Sequence, residues 1–308
     1  MFLGKTFSNG VIYVIIKHSI KNYIKRLCEM NYKIVIDSCG ELLERWKEDE
    51  RIESVPLTLT VEGEDTVDDE TFDQASFLKK VADSPNCPKS SCPSPERYMQ
   101  AYDCGADHVY AVTLSANLSG SYNSAVLGKN LLLDEKPGQK IHVFDSRSAS
   151  VGESLIALKI EECENQGMEF EQVVETVEAY IDSQNTYFVL ENLETLRKNG
   201  RLSNLKAFVA SALKIKPVMG ATPEGTIVQL DQARGINKAL MKMVDYIAEN
   251  AKDSENKVLA ISHCNCPERA EIVKEAILKR ISVKDVFVLD TAGVSTMYAN
   301  DGGIIVVI

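Results

Sequence analysis

One pattern recurs along this chain: a short apolar run, a polar turn rich in serine, then a segment of helical period. Lys33-Ile34-Val35-Ile36 runs into Asp37-Ser38. Val109-Tyr110-Ala111-Val112-Thr113-Leu114 runs into Ser115 and then Ser119-Gly120-Ser121. Residues 140–144 run into Asp145-Ser146, Ser148 and Ser150. Continuous apolar runs of this length mark strands buried on both faces. Parallel neighbours need crossovers, and the intervening helices supply them. The pattern predicts an open, mostly parallel, doubly wound α/β sheet.

The second half reads differently. Helices are expected over 171–182, 236–250 and 267–280, and strands over 186–190, 257–262, 286–289 and 304–308. Strands near 215–219 and 226–230 are joined by the turn Pro223-Glu224-Gly225. A mixed α/β sheet domain is expected there. A chain of 308 residues suits two such units. The boundaries read as an N-terminal appendage over 1–29, a first domain over 30–165 and a second over 166–308. The helix expected over 150–166 links the halves. The appendage carries Lys5, Lys17, Lys21, Lys25 and Arg26 against Glu29; a loose terminus is preferred to a membrane-surface segment.

Three local expectations matter later. Residues 55–61 read as one strand, limited to an edge or a strand start by Pro56. Residues 84–95, with Pro85, Pro88, Pro93 and Pro95, read as a loop. A helix is expected over 69–81 capped by Asp68 or Asp69, so the acidic cluster Asp65, Asp68, Asp69 and Glu70 reads as a solvated loop and cap.

Composition excludes several classes. Net charge is −11, which disfavours nucleic acid as the main partner, because phosphates must be met by Lys and Arg. No apolar run reaches the ~18 residues of a transmembrane helix. Eight scattered cysteines read as reduced thiols, so a cytoplasmic protein is expected. His263-Cys264-Asn265-Cys266 lacks a second ligand pair, and no metal is expected. No phosphate-binding loop or nucleophile elbow is present.

Ligands of open parallel sheets sit beyond the carboxyl ends of the strands. Here those ends collect neutral hydroxyls, which donate well to an anion. Any single serine reads better as a helix N-cap. Four serine-bearing segments at one expected edge favour a site for a carboxylate or phosphate.

Six segments, in order, resemble the DegV family: Lys33–Ser38 by residue order, Pro88-Lys89-Ser90-Ser91-Cys92-Pro93-Ser94-Pro95, Leu114-Ser115-Ala116-Asn117-Leu118-Ser119-Gly120-Ser121-Tyr122, Val143-Phe144-Asp145-Ser146-Arg147-Ser148-Ala149-Ser150, Leu196-Arg197-Lys198-Asn199-Gly200-Arg201-Leu202 and Ile215-Lys216-Pro217. The resemblance runs from about Met30 to the end. It implies two α/β domains holding a long-chain fatty acid such as palmitate, stearate or oleate, with no cofactor and no catalysis by this chain. It implies that Ser90 and Ser91 of the proline-flanked loop, with Ser115, Ser119 and Gly120 of the serine turn, hold the carboxylate. It further implies service to a separate ATP-binding fatty acid kinase subunit making acyl phosphate for bacterial phospholipid synthesis, with Arg201 as a candidate partner contact. Two positions depart from the family: Cys92 replaces a Gln, and Tyr298 stands where the family has a His. A phenol still donates to a carboxylate but carries no positive charge, so fatty acid binding is the firmer expectation. The alternatives are a phosphoryl- or acyl-transfer enzyme using the same crevice, and a regulatory protein with structural lipid.

Overall fold

The computed structural model describes residues 32–202 and 214–308; the appendage expected over 1–29 lies outside them. The first unit runs β1 (Tyr32–Asp37), β2 (Ile52–Val55), β3 (Thr58–Val61), β4 (Glu64–Val67), α1 (Gln74–Asp83), β5 (Lys89–Ser91), α2 (Pro95–Tyr102), β6 (His108–Thr113), α3 (Ser121–Glu135), β7 (Lys140–Asp145), α4 (Val151–Asn165) and α5 (Phe170–Ser183). Its main sheet has the order β2-β1-β6-β7, with every pair parallel.

Strand periodicity explains the apolar runs. Ile34, Ile36, Tyr110 and Phe144 face α4 and α5. Val35, Val109, Ala111 and Val143 face α2 and α3. Successive side chains point to opposite faces, and both faces are covered, so the middles of the strands are mostly apolar and the polar residues gather toward their ends. Each aliphatic side chain buried this way contributes roughly 1.5–3 kcal/mol.

The second unit follows with β8 (Thr186–Val189), α6 (Glu194–Lys198), β9 (Ile215–Ala221), β10 (Ile227–Arg234), α7 (Ile236–Asn250), β11 (Val258–His263), α8 (Pro267–Leu278), β12 (Asp285–Asp290), α9 (Gly293–Ala299) and β13 (Ile304–Val307). The sheet order is β10-β9-β8-β13-β11-β12. Only β11 and β12 pair in parallel, so the sheet is mixed. Tyr187, Val189, Val218, Ile304 and Val306 pack under α7 and α8. No helix of the described residues is long and apolar enough to cross a membrane.

Helix α4 lies between the two units. Ile156, Ala157 and Ile160 pack on the first sheet, whereas Val151 and Leu155 pack on Ala260 and Val307 of the second. Helix α5 still belongs to the first unit, because Val173, Val177 and Ile181 share the cluster of Ile34 and Phe144. We therefore propose that the boundary, expected at residues 165–166, falls after α5, just before β8.

Local expectations change in three places. The single strand expected over 55–61 is two strands, β2 and β3, in different sheets, and Pro56 lies at the break. The proline-rich loop contains β5, which pairs antiparallel with β3. It is a sheet edge between Pro88 and Pro93, so the prolines interrupt no ladder. The helix near residue 70 begins at Gln74, with the Asp73 carboxylate accepting from the Ser76 amide at 3.0 Å. Asp68 is not solvated: it is 3% exposed and caps another helix, as described below.

Candidate functional site

A cavity lies between the carboxyl edge of the first sheet and the second sheet. Strand alternation builds its floor. Tyr187 and Val189 face the core beneath α7, so Thr186, Phe188 and Leu190 point the other way, into the cavity. Ile305, opposite Phe188 on β13, and Ile227 extend this floor. The turns after β1, β6 and β7 supply Cys39, Leu114, Leu118 and Ala149 above it, and α9 supplies Val294 and Ala299. The space enclosed by these walls is about 820 Å³ with the open mouth included.

One part of this apolar wall is polar. Ser90 sits at the centre of β5 and Tyr298 on α9, and their hydroxyl oxygens are 3.1 Å apart. The Arg201 guanidinium lies 5.7 Å from the centre of the Tyr298 ring. It donates to the carbonyls of Leu118 (3.1 Å) and Asn199 (2.7 Å), and no carboxylate pairs with it among the described residues. Burial pushes the Tyr298 phenol above its ordinary value, an effect opposed by the Ser90 hydrogen bond and the nearby Arg201. It therefore stays a neutral O–H donor near pH 7. Ser119 also lines the wall and is held 3.1 Å from the Ser121 hydroxyl. Three hydroxyls and a guanidinium that pairs with no carboxylate among the described residues thus line one part of the cavity, a donor set whose chemistry suits an anion.

Of the sequence-derived candidates, the fold brings Ser90, Ser119 and Tyr298 together. Arg201, expected on a partner-facing loop, is part of the cavity wall. Ser115 is turned away: its hydroxyl donates to the Gly225 carbonyl at 2.8 Å. It thereby fastens the β9–β10 turn to the first unit. That turn needs glycine, because Gly225 has φ +79° and a Cβ there would meet the Ser115 oxygen at 2.4 Å. Ser91 follows Ser90 on β5, so the pleat places it on the opposite face, where it is exposed. Gly120 does not line the cavity; a Cβ there would meet the Cys92 sulfur at 3.0 Å, so glycine lets the two loops approach. The cavity floor was missed at the sequence level. The available signal was the alternation of residues 186–190, masked because both faces of β8 are apolar.

Behind the cavity lies a group of buried carboxylates. Asp68 accepts from the amides of Gly293 (2.7 Å) and Val294 (2.9 Å) and from the Ser38 hydroxyl (2.8 Å). Glu41 accepts from the Ala292 amide (2.7 Å) and the Ser150 hydroxyl (2.9 Å). Together they cap α9, the helix that carries Tyr298, where the helix dipole favours negative charge. Asp37 accepts from the amides of Leu114 (2.9 Å) and Cys39 (3.1 Å), fixing two of the turns above the cavity.

Burial outweighs these hydrogen bonds. It pushes Asp37 and Asp68 up to about 6 and Glu41 up to about 8. Glu153, buried beside Asp37, is held well above the carboxylate range. In the unfolded chain these groups lose their protons near pH 4. Between there and pH 8 the native state binds more protons, so raising the pH removes stability. The contribution is complete below pH 4 and lost as pH rises through the folded values. The melting temperature should therefore be several degrees higher at about pH 5 than at about pH 8.5. Scanning calorimetry across this window checks it, and a higher value at the alkaline end would contradict it.

Comparisons with known proteins agree with this architecture. The DegV family model matches residues 31–308. A DegV domain-containing protein of Streptococcus pyogenes is 38% identical over 278 residues, covering 90% of this chain and 98% of the relative. A solved DegV family protein from Ruminococcus gnavus, refined with vaccenic acid, is 57% identical with a TM-score of 0.89, over 91% of this chain and 100% of that one. The fatty acid kinase (Fak) B3 protein of Streptococcus pneumoniae, loaded with linoleic acid, is 33% identical with a TM-score of 0.82, over 90% and 98%. The two-domain arrangement of a parallel and a mixed sheet is the one these structures share. The chain belongs to the DegV family.

Proposed function

We propose that this protein holds a long-chain fatty acid in the cavity. In this reading the carboxylate sits among Ser90, Ser119, Tyr298 and Arg201, and the acyl chain lies along the row Leu190, Phe188 and Thr186. The observation that carries it is the placement of one cluster of anion-suited donors in the wall of a mostly apolar cavity. The bound acids of the Ruminococcus and Streptococcus relatives support it. The energetics are adequate: sixteen buried methylenes at ~0.8 kcal/mol each are worth about 13 kcal/mol gross, from which association and ordering costs are subtracted. The headgroup cluster then sets register and selectivity.

The reading gives the chain no chemistry of its own. The likeness to the Fak B3 protein supports a second step, in which the carboxylate is presented to a separate ATP-using kinase subunit. Tyr298 would donate a neutral hydrogen bond there.

Native mass spectrometry of purified protein should show a copurifying acyl chain. Replacing Ser90 and Ser119 together by Ala should lower the preference for a free fatty acid over its methyl ester by about tenfold or more, given ~0.5–1.5 kcal/mol per hydrogen bond and more for charged acceptors. An unchanged preference would place the carboxylate elsewhere.

A further inference from the structure

The cavity shares a wall with a second one. Arg147, Ser148, Thr186 and Ala221 line both. The second cavity, about 780 Å³ with its open mouth, has a mixed lining: Ser146, Asp182, Gln184, Asn185 and Thr222 alternate with Ile181, Ala221 and Pro223. At the centre of the partition the hydroxyls of Ser148 and Thr186 are 2.6 Å apart and buried. Thr186 ends the row of floor residues, four residues or roughly 13 Å of strand from Leu190. The Arg147 guanidinium does not enter into this contact; it pairs with Asp182 at 2.7 Å and Glu178 at 3.7 Å.

We infer that the Ser148–Thr186 pair is the stop that sets the longest acyl chain the protein accepts, and that the second cavity is the space a longer chain would enter. The inference rests on the fatty acid reading above. A chain pushed past the pair must separate two hydroxyls and leave them against methylenes. An unpaired buried polar group weakens an equilibrium roughly 5- to 100-fold. One more buried methylene strengthens it only roughly fourfold. The next methylene therefore loses against the hydrogen bond, and the row ends there. The pair is sterically braced as well, since a Cβ on Gly152 would meet the Ser148 oxygen at 2.0 Å.

The test is competition among a graded series of straight-chain saturated acids, read by native mass spectrometry. Wild type should show a sharp upper limit of length. Thr186→Ala combined with Ser148→Ala should move that limit by about two methylenes and raise the ratio of longer to shorter acid roughly tenfold or more. Thr186→Val keeps the side-chain volume and removes the hydroxyl, so it should shift the ratio in the same direction even if the double variant folds poorly. Thr186→Leu should shorten the limit. A limit unchanged in folded Thr186→Val, with wild type binding normally, would overturn the stop alone. A wild type that binds no acid of any length would overturn the fatty acid reading and the stop with it.

Discussion

Ala149→Trp should strip the protein of bound fatty acid while leaving its fold in place. Ala149 lies in the turn after β7 and faces the cavity, beside the cluster formed by Leu114, Val294 and Met297. An indole at this position enters the cavity. Those atoms would occupy the path of the acyl chain. Losing four buried methylenes at ~0.8 kcal/mol each costs about 3 kcal/mol, a weakening of more than hundredfold. Calorimetric titration with oleate measures the affinity, and the melting temperature of ligand-free protein measures the fold. An affinity within tenfold of wild type would mean that the acyl chain does not use this cavity.

Asp68→Leu should be the most destabilising single change near the site. The carboxylate is the acceptor for three buried donors, two of them the first amides of α9. Leucine fills the space but accepts nothing. Each orphaned donor costs about 1–3 kcal/mol, and partial relaxation makes about 4 kcal/mol a reasonable total, or roughly 10 °C in melting temperature. Asp68→Asn should fall between, because its single oxygen can satisfy one amide while its NH2 opposes the other. Urea unfolding gives the values. A loss below about 1 kcal/mol for leucine would show that α9 finds other partners for its amides.

These residues also mark where the sequence can be read and where it cannot. The strands β1, β6 and β7 were legible because burial on both faces forces an uninterrupted apolar run such as Val109–Val112 by residue order, and their turns advertised serine. The mixed character of the second sheet was legible in its hairpin turn at Pro223-Glu224-Gly225. The partner of Asp68 was not, since its helix begins 225 residues later and an acid near a helix start looks like a local cap. Ser115 and Ser119 lie in one turn with the same chemistry. Only the geometry of that turn sends one hydroxyl to the Gly225 carbonyl and leaves the other on the cavity wall. Arg201 was legible as a conspicuous cation, but its neighbour Tyr298 comes from the far end of the chain. Helix α5 shows an amphipathic pattern that states how much it buries and not which sheet it buries against.

Helix α4 has two working faces, one on each sheet, and so the molecule has no seam. A chain cut between the halves would leave the row of Val151 and Leu155 bare on one piece and Ala260 and Val307 bare on the other. The halves cannot be traded singly between proteins in the way that beads on a linker can. Each half would lose its share of this packing if the other were taken away, and the cavity walls would part with it.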